Sequence, residues 1–355
     1  MKEQKAISNT VVLLRLAGFV LVVILVVTMV DLAVVARLLF SVSLAVLVAG
    51  LLLVQAQIVL SATRWQWTAR RLGHVMVWPY AVCEYYLASF LNATLPTGLA
   101  GDFMRMVRAG ASLRPHTPSP DLPPDASPDV PPAQGKLSKA LPAPDLMRPV
   151  VRAIVLERLA GQVSFFALAV LGLFFAGPVL GMAWLNGQAV MLAGTLALLV
   201  VLVVLFVRGN GLRPAAGRLA FDRLVPAAVR QWIRGVGHDV RRAWFVDGAW
   251  RWQLLISLVI ASCYLAVFWL AAAGMGALMT PAQALVLLPL TLVAMLLPIS
   301  FGGFGPREGV VVVLWPMAGF STEQALAASL VYGAISLAGA LPGAAVLVLR
   351  PSSRA

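Results

Sequence analysis

Six apolar runs of about 20 residues or more dominate this chain, at residues 10–30, 38–60, 154–176, 188–207, 253–273 and 323–349. Twenty residues of helix cover about 30 Å, the hydrocarbon thickness of a bilayer. Hydrophobic residues make up 61% of the sequence and charged residues 12%. Soluble domains run at about 45–50% and about 25%. A soluble globular enzyme is therefore excluded, and an all-α polytopic membrane protein is expected, with about six full transmembrane helices. A signal peptide is the competing reading for residues 10–30. The length of that run and the second run close behind it favour a retained helix.

Two further regions are apolar but broken. Residues 80–95 stop at Pro96-Thr97-Gly98 and resume over 99–107. Residues 282–297 stop at the Pro- and Gly-rich stretch 298–305 and resume over 309–317. Each piece is short for a crossing. Irregular backbone at membrane depth survives only where protein or water satisfies it. Both regions are read as re-entrant helical hairpins, with paired short crossings as the alternative.

Charge sets the orientation. There are 27 Lys and Arg against 14 Asp and Glu, a net charge of +13. The basic residues sit between apolar runs, as in cytoplasmic loops that meet anionic lipid. Nucleic acid is not an expected partner. With the N-terminus inside, the outer connections 31–37, 177–187, 274–281 and 319–322 hold one basic residue, Arg37. Both termini then lie in the cytoplasm, and the two hairpins enter from opposite sides, the arrangement of broken helices in secondary transporters. Two inner loops stand out. Residues 113–149 hold 11 prolines and no aromatics, and are expected to be disordered. Residues 208–251 hold nine Arg, three Asp and no Lys. Their apolar residues recur at helical spacing, as in an amphipathic segment lying in the headgroup plane. Trp65, Trp67 and Trp78 are expected to mark another interface.

Ionisable side chains inside membrane segments cost at least about 2.5–3.5 kcal/mol, so each requires a reason. Glu84 sits on the entering limb of the first hairpin, and Asp102, Arg105 and Arg108 on its return limb. Glu157 and Arg158 open a full span. Arg307 and Glu308 sit at the bend of the second hairpin. Internal ion pairs bracing the hairpins are one reading; Asp102 and Arg105 are three apart and fit it. A polar cavity that handles an anionic headgroup is the other. Helix starts after both breaks present free N–H groups and a positive dipole end. Gly98, Gly101, Gly302 and Gly303 allow close approach there. The guanidiniums of Arg105 and Arg307 suit phosphate.

Three ordered segments carry a resemblance. Asn92-Ala-Thr-Leu-Pro96-Thr-Gly98-Leu-Ala-Gly101-Asp102-Phe-Met-Arg105, then Val155-Leu-Glu157-Arg158-Leu, then Leu297-Pro298-Ile-Ser300-Phe-Gly302-Gly303-Phe-Gly305-Pro-Arg307-Glu308 resemble the signatures of the lysylphosphatidylglycerol synthase transmembrane family, which is flippase-like. The likeness runs over about residues 10–349. The Pro-rich insert is longer than the family pattern. The resemblance implies a single inner-membrane domain of a bacterium, over residues 1–355, linked to moving lipids. Founding members add a soluble synthase domain that aminoacylates phosphatidylglycerol. Six residues follow Leu349, so that chemistry is not implied here. Relatives are tied to phospholipids, polyprenyl-linked sugars and hopanoids, so the lipid does not carry over.

Other chemistry finds little footing. Cys83 and Cys263 lie in apolar stretches without a CxxC, and the three His have no ligand spacing. No metal, cofactor or nucleotide motif is present. Gly339 and Gly343 form a GxxxG with Pro342 between them, read as internal packing with a kink. The expected function is a lipid flippase or flippase-like transporter. Its substrate-binding residues would be Asn92, Gly98, Gly101, Asp102, Arg105, Glu157, Arg158, Gly302, Gly303, Arg307 and Glu308. A membrane transferase acting on a lipid carrier, or a scaffold beside a separate lipid-modifying enzyme, are the alternatives.

Overall fold

The structure is a computed structural model and describes residues 17–73, 76–95, 100–112, 144–176, 240–296 and 304–349. Within them the chain is helical, as an all-α polytopic membrane protein requires. Four helices are long and apolar enough to cross a bilayer: Leu44–Arg71, Val150–Phe174, Arg241–Gly274 and Thr322–Val348. The expected run 188–207, most of the Pro-rich insert and most of the Arg-rich segment lie outside the described residues.

The first two runs fold differently from expectation. Helix α1 (Ala17–Met29) turns by 88° into α2 (Leu32–Phe40). Asp31 starts α2, its Oδ1 accepting from the Ala33 and Val34 amides at 2.8 and 3.3 Å. The connection expected outside, 31–37, is thus mostly helix. Ser43 then caps α3 (Leu44–Arg71), its Oγ accepting from the Val46 amide at 3.3 Å. Satisfied helix starts are worth about 1 kcal/mol each, so two short polar caps outweigh the apolar continuity of run 38–60. The span therefore begins at 44 and reaches Arg71. At 28 residues α3 is about 42 Å long, longer than the hydrocarbon layer.

The first hairpin pairs α4 (Trp78–Thr94) with α5 (Ala100–Ser112). At 17 and 13 residues they extend about 26 and about 20 Å. Gly101 makes their crossing possible. A Cβ there would lie 2.0 Å from the Ala88 carbonyl oxygen. Helix α6 (Pro144–Leu171) follows and ends in a π-helical turn, Gly172–Ala176. Its start falls inside the segment expected to be disordered, so that expectation is corrected over residues 144–149. Pro144 at the first position has no N–H to lose, which favours a start there.

Helix α7 (Ala249–Gly274) is entered through Asp247 and Gly248, both at positive φ. The second hairpin pairs α8 (Pro281–Val293) with α9 (Pro306–Leu314). Thr280 and Gln283 form a capping box at the start of α8. Pro289, inside α8, has no N–H for the Leu285 carbonyl. That oxygen faces Gly172 instead, where a Cβ would lie 2.1 Å away. Helix α10 (Thr322–Ala340) is rich in small residues and buried along most of its length. Pro342 opens α11 (Pro342–Leu349), so run 323–349 is broken where the proline predicts.

The main core lies among α7, α8, α9 and α10. Phe268 stacks on Tyr332 at 4.7 Å between ring centroids, and Trp315 sits 5.5 Å from Phe268. Many outward residues are large and apolar, among them Leu21, Ile24, Leu52, Phe103 and Trp252. A lipid environment accepts such a surface. Trp65, expected at an interface, is instead fully buried.

Candidate functional site

Polar residues in these helices gather into a few places. The largest joins five helices. Arg105 on α5 reaches Asp102 one turn back, Nη2 to Oδ1 at 2.9 Å, and Glu157 Oε2 on α6 at 3.1 Å. Arg64 on α3 meets Glu157 Oε1 at 3.2 Å and donates to Ser257 Oγ on α7 at 2.9 Å. Tyr85 on α4 donates to Glu157 Oε1 at 2.8 Å. Arg158 on α6 pairs with Asp102 Oδ2. Asp102 thus serves two guanidiniums, one with each oxygen.

Position follows from helical geometry. Residues 102, 105 and, one turn on, 108 share a face of α5. The Nε–H of Arg108 is shared between the two carboxylate oxygens of Glu84 on α4, at 2.9 and 3.0 Å. Glu157 and Arg158 are adjacent, so they point apart by about 100° and straddle the hairpin. Arg105 and Glu157 are 1% exposed, while the Arg158 side chain is 39% exposed. The Arg105 guanidinium lies between the rings of Trp65 and Tyr85, its Cζ 4.6 Å from each centroid.

The helix start of this hairpin is already occupied in part. The Gly101 amide donates to Asn92 Oδ1 at 2.8 Å, and Asn92 Nδ2 reaches Asp102 Oδ2 at 3.5 Å. Asn92 therefore ties the two limbs together.

The second cluster is self-contained. Arg307 Nη2 and Nε lie 2.6 and 3.0 Å from Glu308 Oε1. The same guanidinium donates to the Ser329 hydroxyl at 2.7 Å and its carbonyl at 3.0 Å. Glu308 Oε2 accepts from the Gly305 amide at 2.7 Å, capping α9. Phe304 and Tyr332 flank Arg307, each 5.0 Å from Cζ. One cation meets one anion here.

Of the residues expected from sequence, Asn92, Gly101, Asp102, Arg105, Glu157 and Arg158 come together. Arg307 and Glu308 form the separate pair. Gly98, Gly302 and Gly303 lie outside the described residues. The two clusters share no residue. Tyr264 on α7 is within electrostatic reach of Arg64, Asp102, Glu157 and Arg158, and also of Tyr332. Sequence reasoning missed Arg64, Trp65, Tyr85, Ser257 and Tyr264. Arg64 was legible in principle, since it follows Ser61 by three residues on the face that buries Val54 and Ile58.

The family model described as the lysylphosphatidylglycerol synthase TM region matches residues 12–114 and 137–343. The chain belongs to that family. The lysylphosphatidylglycerol synthase TM-region match covers both hairpins and both clusters. Its one internal gap, residues 115–136, falls within the Pro-rich insert. Membership ties this multi-pass membrane protein to lipid-related function. No curated protein matches the chain.

Proposed function

We propose that this family member is a lipid flippase or flippase-like transporter of the bacterial inner membrane, with both termini in the cytoplasm. It moves an anionic or polyprenyl-linked headgroup across the bilayer. The reading is supported by one observation above the others. The larger cluster holds three guanidiniums, Arg64, Arg105 and Arg158, against two carboxylates, Asp102 and Glu157. A bracing network needs balance; a net positive one favours an anionic guest.

The roles then divide. Arg105 and Arg158 hold the phosphate side of the headgroup. Asp102 holds both arginines in the empty state. Glu157, with Arg64 and Tyr85, fixes Arg105 in place. Asn92 and Gly101 hold the hairpin closed. Arg307 is engaged through Nε and Nη2 with Glu308 and Ser329, so it braces the second hairpin.

The test is reconstitution. Purified protein in proteoliposomes should move fluorescent phospholipid or polyprenyl-phosphoryl analogues between leaflets, and Arg105→Gln should abolish the movement. Absence of translocation for all of these lipids, with product formed from a lipid carrier, would replace this reading with a transferase.

A further inference from the structure

Arg105 has hydrogens to spare. Its Nη2 donates to Asp102 Oδ1 at 2.9 Å and stands 3.1 Å from Glu157 Oε2, a buried oxygen that accepts no hydrogen bond, while Nε and Nη1 are buried without an acceptor. Arg64 Nε and the indole Nε1 of Trp65 are in the same condition. The Arg105 guanidinium cannot swing to find acceptors, because Trp65 and Tyr85 hold its two faces. Buried donors without partners are costly, and few folded proteins keep several in one place. Among the described residues four such donors, on Arg64, Trp65 and Arg105, accompany one excess positive charge. Asp102 and Glu157 balance two of the three guanidiniums, and the Glu84–Arg108 pair beside them is neutral.

The two shortfalls match. A ligand with one negative charge and acceptor surface on several sides would meet both. We infer that this cluster binds one monovalent anion, held by Arg105 and Trp65 and balanced by Arg158. A dianion overshoots the balance by one charge, and a cation adds to the excess. The shared chemistry fits a free halide and the singly charged phosphodiester of a lipid headgroup. The inference uses the same cluster as the transport reading but not its premise. An anion bound and never moved satisfies it.

The experiment uses the full chain in detergent, at constant ionic strength set with gluconate. The probes are bromide, dimethyl phosphate and sulfate. Thermal unfolding and tryptophan fluorescence are followed. At least one monovalent probe should raise the unfolding temperature saturably, and sulfate should bind at least about tenfold more weakly. Bromide quenches indoles, so its bound form should add a saturable quenching component that Trp65→Phe removes. Arg158→Gln makes the cluster neutral at a partly exposed position and should weaken binding by about tenfold or more, while Arg158→Lys keeps it. A response to bromide alone assigns a resident ion; a response to dimethyl phosphate assigns the headgroup. No saturable response to either monovalent probe would overturn the inference. So would equal binding of sulfate, or unchanged affinity in a folded Arg158→Gln variant. Lost lipid translocation alongside intact anion binding would remove the transport reading alone.

Discussion

Asp102→Asn should be strongly damaging, and Arg158→Gln should partly repair it. Asp102 is 6% exposed and neutralises Arg105 and Arg158 at once. Asn leaves three guanidiniums to share Glu157. Two guanidiniums held about 5–6 Å apart repel by about 3 kcal/mol at an effective dielectric of 20. Breaking a buried pair from one side costs about 3–5 kcal/mol, in the same range. Arg158→Gln alone should cost less than about 1 kcal/mol, because that side chain is 39% exposed and screened. In the double variant the excess falls from two charges to one. It should recover about 1–2 kcal/mol of the Asp102→Asn loss, discounted for the same screening. Unfolding of the four proteins in detergent, followed by circular dichroism, closes the cycle. Strictly additive losses would refute the shared-carboxylate argument. So would a milder effect of Asp102→Asn than of Arg158→Gln.

Three further outcomes are expected. Gly101→Ala puts a Cβ 2.0 Å from the Ala88 oxygen, so α4 and α5 must part by about 1.4 Å to reach an ordinary 3.4 Å contact. It should cost about 2–3 kcal/mol in detergent unfolding, whereas Gly274→Ala, whose Cβ meets Val46 at 3.4 Å, should be nearly neutral. Arg307→Lys should lower the unfolding temperature clearly, because an ammonium cannot bridge Glu308 and both Ser329 oxygens; a wild-type midpoint would show those bonds to be idle. Deleting residues 115–136, which the family pattern lacks, should leave expression and translocation intact, and loss of either would mean that the segment docks something.

The apolar runs made the helical class legible, because their length leaves few alternatives in a bilayer. Pro342 marked its break correctly for a steric reason. Asp31 and Ser43 did not stand out. One short polar residue in an apolar run looks tolerable until its side chain is seen to cap a helix. The candidate site was half legible. Asp102 and Arg105 are close in sequence, so their pairing was readable. Arg64 and Trp65 sit where an apolar run turns polar, a place that reads as the membrane surface for Trp65 and as unremarkable for Arg64. A helix of 28 residues reaches past the expected boundary, and its far end is covered by the first hairpin and α6. That coverage depends on contacts distant in sequence. The split into an unbalanced and a balanced cluster was equally hidden, since Ser329 and Glu308 are 21 residues apart.

The meeting of Gly172 with the Leu285 carbonyl has a mechanical side. Pro289 removes a rung from α8, so this part of the second hairpin is softest at the point where it presses on α6. With no side chain between them, the two backbones have no slack. A tilt of α8 is delivered to the π-helical turn and along the α6 rod. Arg158 lies 14 residues away on that rod, about 21 Å. Glu157 and Arg158 therefore ride on a lever whose far end is gripped by the second hairpin, and rocking one hairpin displaces the charges that face the other.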